Sequence, residues 1–150
     1  MKPKTLKQRF VTAILLVIIS STIFSLSAKA GVDSYSIYLN NKLLLTQSIS
    51  KPLTLQSLQL EKANPNDELI IYYTQCNAPD KIGSGRKLIV KDAEGKTLKE
   101  WKFKDVKGSD KGMVIPVKEL LALQKGKEAS SLAIFYNSTN AYNEQKLASL

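Results

Sequence analysis

The chain has no histidine and one cysteine, Cys76, among 150 residues. Without histidine there is no Ser-His-Asp triad, no Cys-His dyad and no histidine-ligated zinc or copper site. General-base work would fall to a carboxylate, a lysine or a tyrosine. A lone cysteine makes no intramolecular bridge, so an apolar core must hold the fold. The paired cysteines around a tryptophan that mark immunoglobulin domains are missing, as is EF-hand spacing. There is no internal repeat and no low-complexity tail. After residue 30 no apolar run is longer than Leu69–Tyr73 or Leu132–Tyr136, both far short of the roughly 20 residues of a membrane helix.

Acidic residues are absent from the first thirty positions. Lys2, Lys4, Lys7 and Arg9 form a basic start, Val11–Phe24 an apolar stretch, and Ala28-Lys29-Ala30 an A-x-A site. This is the pattern of a Sec-type secretory signal peptide cleaved after Ala30. The competing reading is a retained anchor helix over 10–28, and it puts the domain on the same side of the membrane. No cysteine near the end of the apolar stretch offers a lipid-attachment site. Five of the 22 basic residues and none of the 13 acidic ones lie in this leader, so the formal charge of +9 becomes +4 for residues 31–150. That is an ordinary surface charge for a small domain and gives no reason to expect nucleic acid. Residues 31–150 are long enough for one core, and they are expected to be a single exported domain with no membrane span.

The segment Glu68–Cys76, ELIIYYTQC, is the centre of the reading. Its apolar and aromatic residues face both ways, which predicts a central strand covered on both faces. Asn64-Pro65-Asn66-Asp67 precedes it and Asn77-Ala78-Pro79-Asp80 follows, both turn-forming. Ser34–Asn40 alternates, with Tyr35, Ile37 and Leu39 on one face. Asn40-Asn41 suits a type I′ turn into a return strand, Lys42–Ser48. Leu53, Leu55, Leu58 and Leu60 after Pro52 predict a bulged edge strand. Asp80–Gly85 reads as a loop, Arg86–Asp92 as a strand, and Asp92-Ala93-Glu94-Gly95 as a turn. Thr97–Asp105 returns, with Trp101 and Phe103 on one face. Leu98 falls on the wrong side of the alternation, which predicts a bulge before Trp101. Met113, Ile115 and Val117 make a short strand that Pro116 assigns to an edge. Lys118–Gln124 is helical, with Gly126 to stop it. Ser131–Ser138 is a strand with Leu132, Ile134 and Tyr136 inward, and Lys146–Leu150 a final edge strand.

About seven or eight short strands, with turns at the spacing typical of all-β folds, predict an all-β antiparallel β-sandwich. It would be immunoglobulin-like in shape only, with one short helix at 118–124.

Candidate sites are few. Cys76 closes the central strand; with neither histidine nor helix N-terminus to activate it, it is expected to be a buried thiol, with an intermolecular disulfide as the alternative. Gly83-Ser84-Gly85-Arg86-Lys87 has the look of a phosphate-cradling loop but leads into a strand, so a plain hairpin loop is expected. Lys102 and Lys104 share a predicted strand face and are candidates for contact with an anionic surface. Interleaved acids favour a solvated face instead. Asn64, Asn66, Asp67 and Glu68 offer oxygens of the kind calcium takes, in a sequence that is also ordinary turn chemistry. Asn137-Ser138-Thr139 is a glycosylation sequon. Tyr72 and Tyr73 must point to opposite faces, so they cannot share one carbohydrate-stacking platform, and the six tyrosines are expected mainly in the core.

Together YSIYLNNKLLL, ELIIYYTQC, RKLIVKDAEGKTLKEWKF and VIPVKELLAL resemble the short exported β-domain proteins of unknown function of Gram-negative bacteria. The resemblance covers most of residues 31–150, implies no activity and adds a periplasmic expectation. The reading is therefore a periplasmic or secreted, non-enzymatic binding module for a protein or glycan of the cell envelope, with no cofactor. The alternatives are a histidine-free hydrolase or lyase working with carboxylate, lysine or tyrosine groups, and a homodimer linked through Cys76.

Overall fold

The computed structural model describes residues 31–49, 57–60, 62–76, 78–107, 110–125, 132–141 and 143–150, all within one unit, Gly31–Leu150. Alternation in the first described segment gives β1 (Ser34–Leu39), which buries Tyr35 and Ile37. Asn40 takes a φ of 53° and turns the chain into β2 (Lys42–Ser48). Of the two asparagines only Asn40 has a positive φ, so the expected type I′ turn, which needs two, is not the one formed. Ile37 pairs with Leu45 and Tyr38 with Leu43, leaving Leu44 as a bulge. That slip puts Leu45 in the core and leaves Leu43 exposed, resolving an apolar triplet that strict alternation cannot place.

β3 (Glu68–Thr74) pairs with β1 on one side and β8 (Met113–Pro116) on the other. The first sheet therefore has the order β2-β1-β3-β8, all antiparallel, with Pro116 on an edge strand as expected. The second sheet has the order β10-β9-β5-β6, built from β5 (Lys87–Lys91), β6 (Thr97–Lys102), β9 (Ala133–Asn137) and β10 (Gln145–Ser149). Gly95, at a φ of 81°, closes the turn between β5 and β6. Val90 pairs with Lys99 and Lys91 with Thr97, so Leu98 is the bulged residue before Trp101. Two-residue strands, β4 (Ile82–Gly83) and β7 (Val106–Lys107), form a separate ribbon.

The inner faces of the two sheets share one core. Ile37, Ile71, Met113 and Ile115 come from the first sheet and Leu88, Val90, Ile134 and Leu147 from the second. Each such side chain removed from water is worth about 1.5–3 kcal/mol. Helix α1 (Val117–Gln124) follows β8 directly and adds Val117 and Leu120 to the core. It has no side-chain cap; the Val117 N–H instead donates to the Asp67 carbonyl at 2.9 Å. The fold is thus an all-β antiparallel sandwich with one short helix. Its strand order differs from the immunoglobulin arrangement, so that likeness ends at the two-layer shape.

Several expectations need correction. β3 is central but covered fully on one face only: Leu69, Ile71 and Tyr73 are buried, whereas Ile70 and Tyr72 are half-buried. The stretch Asp80–Gly85 is not a plain loop, because it holds a 3-10 turn, Pro79–Lys81, and β4. In 57–60 the bulged strand is reduced to one parallel bridge, Ser57 to Ser149, and the Leu60 N–H turns back onto the Leu58 carbonyl at 3.0 Å. Leu58 and Leu60 are nevertheless core residues. Leu53, Leu55 and Gly126 lie outside the described residues.

Candidate binding site

Three tyrosines run through the sandwich from one sheet to the other. Tyr35 stacks near Tyr73 at 6.3 Å between ring centroids, and Tyr73 stacks on Tyr136 at 3.8 Å. Tyr35 and Tyr73 belong to the first sheet, Tyr136 to the second. Buried phenols need partners. The Tyr35 hydroxyl donates to the Leu147 carbonyl of the opposite sheet at 2.7 Å. Tyr73 donates to Asp33 Oδ2 at 3.3 Å, and Tyr136 to Gln75 Oε1 at 3.4 Å. Gln75 Nε2 passes the chain on to Ser138 Oγ at 2.7 Å. Burial raises all three phenols above their ordinary range, most strongly Tyr73, where the Asp33 carboxylate adds to the effect.

Three members of this network, Asp33, Tyr73 and Gln75, line a cleft of about 290 Å³ at one end of the sandwich. There β1 begins, β2 and β3 end, and the β9–β10 connection crosses. Asp33, Tyr73 and Gln75 supply the floor; Val32, Ile49, Ala78 and Ala141 supply apolar walls. Asn140, Asn143 and Gln145 complete the rim. Asp33 is held by the Cys76 N–H at 2.9 Å as well as by Tyr73. Asn140 Nδ2 donates to the Ile82 carbonyl at 3.3 Å, and Gln145 Nε2 to the Lys146 carbonyl at 3.0 Å. The Asn143 amide has no hydrogen bond among the described residues. The floor is thus set by internal bonds, while the rim retains the Asn143 amide and the side-chain carbonyl oxygens of Asn140 and Gln145 to offer. Among the described residues lining the cleft Asp33 is the only carboxylate, so a paired-acid mechanism would need its second acid from elsewhere.

Sequence reasoning missed this site. Asp33 precedes the first strand, and Asn140, Asn143 and Gln145 fall where the periodicity gives out. Nothing local marks them; only antiparallel closure of both sheets brings these segments to one end. A weak signal was available in the polar residues Gln75 and Ser138, each placed one step past an apolar strand.

The residues singled out from sequence are dispersed. Cys76 is a free thiol and half-buried, not part of the core. An ideal Cβ on Gly31 would lie 2.6 Å from the Cys76 Cβ, so glycine is what lets the chain pass over it. Lys102 is largely exposed at the end of β6 and lies 3.8 Å from Glu100, which also pairs Lys87 at 3.4 Å. Lys104 is exposed beyond the end of the strand, so the two lysines do not share a ladder face as expected. In the Gly83-Ser84-Gly85-Arg86-Lys87 loop the Gly85 N–H is already bonded to Asp105 Oδ1 at 2.8 Å, and Arg86 is buried. The Asn64–Glu68 turn is held by its own groups. Asp67 Oδ1 accepts from Asn40 Nδ2, and Oδ2 from the Asn64 N–H, each at 2.9 Å. Among the described residues no group of histidine, cysteine or acidic side chains is disposed to hold a metal. Asn137 lies within β9. Tyr38 and Tyr72 are on the outer face of the first sheet, opposite Tyr73; Tyr142 lies outside the described residues. Comparison with protein-family models, curated proteins and solved structures finds no match for this chain.

Proposed function

We propose that this chain is an exported, non-enzymatic binding module of the cell envelope, periplasmic or secreted, and that its end cleft takes an extended segment of a protein partner. The observation that carries the reading is the make-up of the cleft: Asn143 and Gln145 on the rim, apolar walls, and a floor tied down by Tyr73, Asp33 and Gln75. Amide side chains donate and accept together, as a peptide backbone does, and apolar walls suit its side chains. A floor fixed before binding lowers the ordering cost. Export rests on the basic start, the apolar stretch and the Ala28-Lys29-Ala30 site. Among the described residues no helix is long and apolar enough to cross a membrane.

The test is affinity capture from envelope extract with the exported protein and its Ala141→Trp variant, which fills the cleft. A partner retained by the parent protein and lost by the variant, with unchanged circular dichroism, is the expected outcome. Retention of the same partner by both, or of none by either, contradicts the reading.

A further inference from the structure

The outer face of the first sheet carries a second feature, unconnected with the end cleft. Ser34, Ser36 and Tyr38 point outward from β1, and Tyr72 and Thr74 point outward from β3 beside them. They line a depression of about 300 Å³. That is the lower end of the roughly 300–1,000 Å³ of small-molecule sites. The rings of Tyr38 and Tyr72 meet edge to face, 5.6 Å apart at 82°. They are diagonal neighbours, since Tyr38 pairs with Ile70 and Tyr72 with Ser36. The loop before β8 constrains the pair: an ideal Cβ on Gly112 would come within 3.0 Å of the Tyr72 ring.

Among the described residues, no side chain that is charged at neutral pH lines the depression. The opposite outer face differs. There Lys87 and Lys102 pair with Glu100, and Lys91 pairs with Glu144. On the tyrosine face Ser36 bonds Thr46 at 2.9 Å, while the hydroxyls of Ser34, Tyr38, Tyr72 and Thr74 have no side-chain partner among the described residues. Two half-buried aromatic rings thus stand beside Ser34 and Thr74, with four hydroxyls that have no partner among the described residues. A sugar ring has the complementary make-up, with an apolar C–H face and a rim of groups that both donate and accept. An anionic ligand would find no cation here to offset its desolvation.

We infer that the Tyr38–Tyr72 depression binds a neutral saccharide by ring stacking and hydroxyl hydrogen bonds. The site lies on a different face from the end cleft, so it stands or falls independently of the partner proposed there.

Titration calorimetry of the exported protein with cellohexaose, maltohexaose and chitohexaose, and with dextran sulfate as an anionic control, tests it. At least one neutral hexasaccharide binds and dextran sulfate binds more weakly. Tyr38→Ala and Tyr72→Ala each weaken binding at least about tenfold, the loss expected of an anchoring aromatic. Thr74→Lys retains both rings but puts bulk and charge into the depression; it abolishes binding and decides the matter if a ring deletion unfolds the chain. Absence of binding by all three neutral sugars, preference for dextran sulfate, or binding unmoved by Thr74→Lys overturns the inference.

Discussion

Arg86 carries a charge that the fold encloses without a paired acid among the described residues. It is 4% exposed. One guanidinium nitrogen, Nη2, donates to the Lys111 carbonyl at 3.1 Å, and Nε has no partner. Asp105, the acid that acts on it, is committed to the Gly85 N–H instead. Burial accordingly lowers the Arg86 pKa, and nearby Tyr136 and Asp105 only partly oppose that. A buried, incompletely satisfied cation costs more than an apolar side chain of the same length. Arg86→Met is therefore expected to raise stability by about 1 kcal/mol, whereas Arg86→Ala, which also deletes the packed stem, lowers it. Thermal unfolding by circular dichroism reads both. A fall in the methionine variant would mean that the guanidinium contributes more than its hydrogen bond to the Lys111 carbonyl accounts for.

At the level of the strand, the asymmetry of β3 is the informative feature. Ile71 is fully buried and its neighbour Ile70 only half-buried. Ile71→Ala is expected to cost about 2–5 kcal/mol in urea unfolding, and Ile70→Ala less than half as much. Equal costs would restore the two-sided burial that an apolar run suggests. That run shows what sequence can and cannot reveal. Period-two alternation placed β1, β9 and their inward residues, because one face of each has a core to meet. The bulge at Leu98 was legible because alternation broke against a clear Trp101 anchor. The bulge at Leu44 was not, since three consecutive leucines carry no periodicity. β4 and β7 were invisible because two-residue strands are set by their partner and not by propensity. The cleft left little more than the weak mark of Gln75 and Ser138 for a related reason: its polar and apolar residues belong to no repeat and meet only through long-range pairing.

For the molecule as a whole, the tyrosine ladder joins the two layers. Tyr73 stacks on Tyr136 across the core, and Tyr35 bonds the Leu147 carbonyl of the opposite sheet. In the unfolded chain each phenol ionises near pH 10, whereas in the fold all three pKa values are raised. Above pH 10 the unfolded chain therefore holds fewer protons than the native one, and stability falls as pH rises. Each of the three adds up to about 1.4 kcal/mol per pH unit to that slope. Below pH 10 this contribution is fully present. Urea midpoints measured from neutral to strongly alkaline pH check the sign; a midpoint flat above pH 10 would show the phenols ionising equally in both states.

The account depends most on the end cleft being where a partner is held. Site-specific photocrosslinking in the full chain tests this directly, with the reactive residue placed at Asn143 on the rim or, as a control, at exposed Thr97 on β6. The account predicts a discrete adduct from position 143 that disappears in the Ala141→Trp background, and none from position 97. An adduct from position 97 alone, or no adduct from position 143 in living cells, would contradict it.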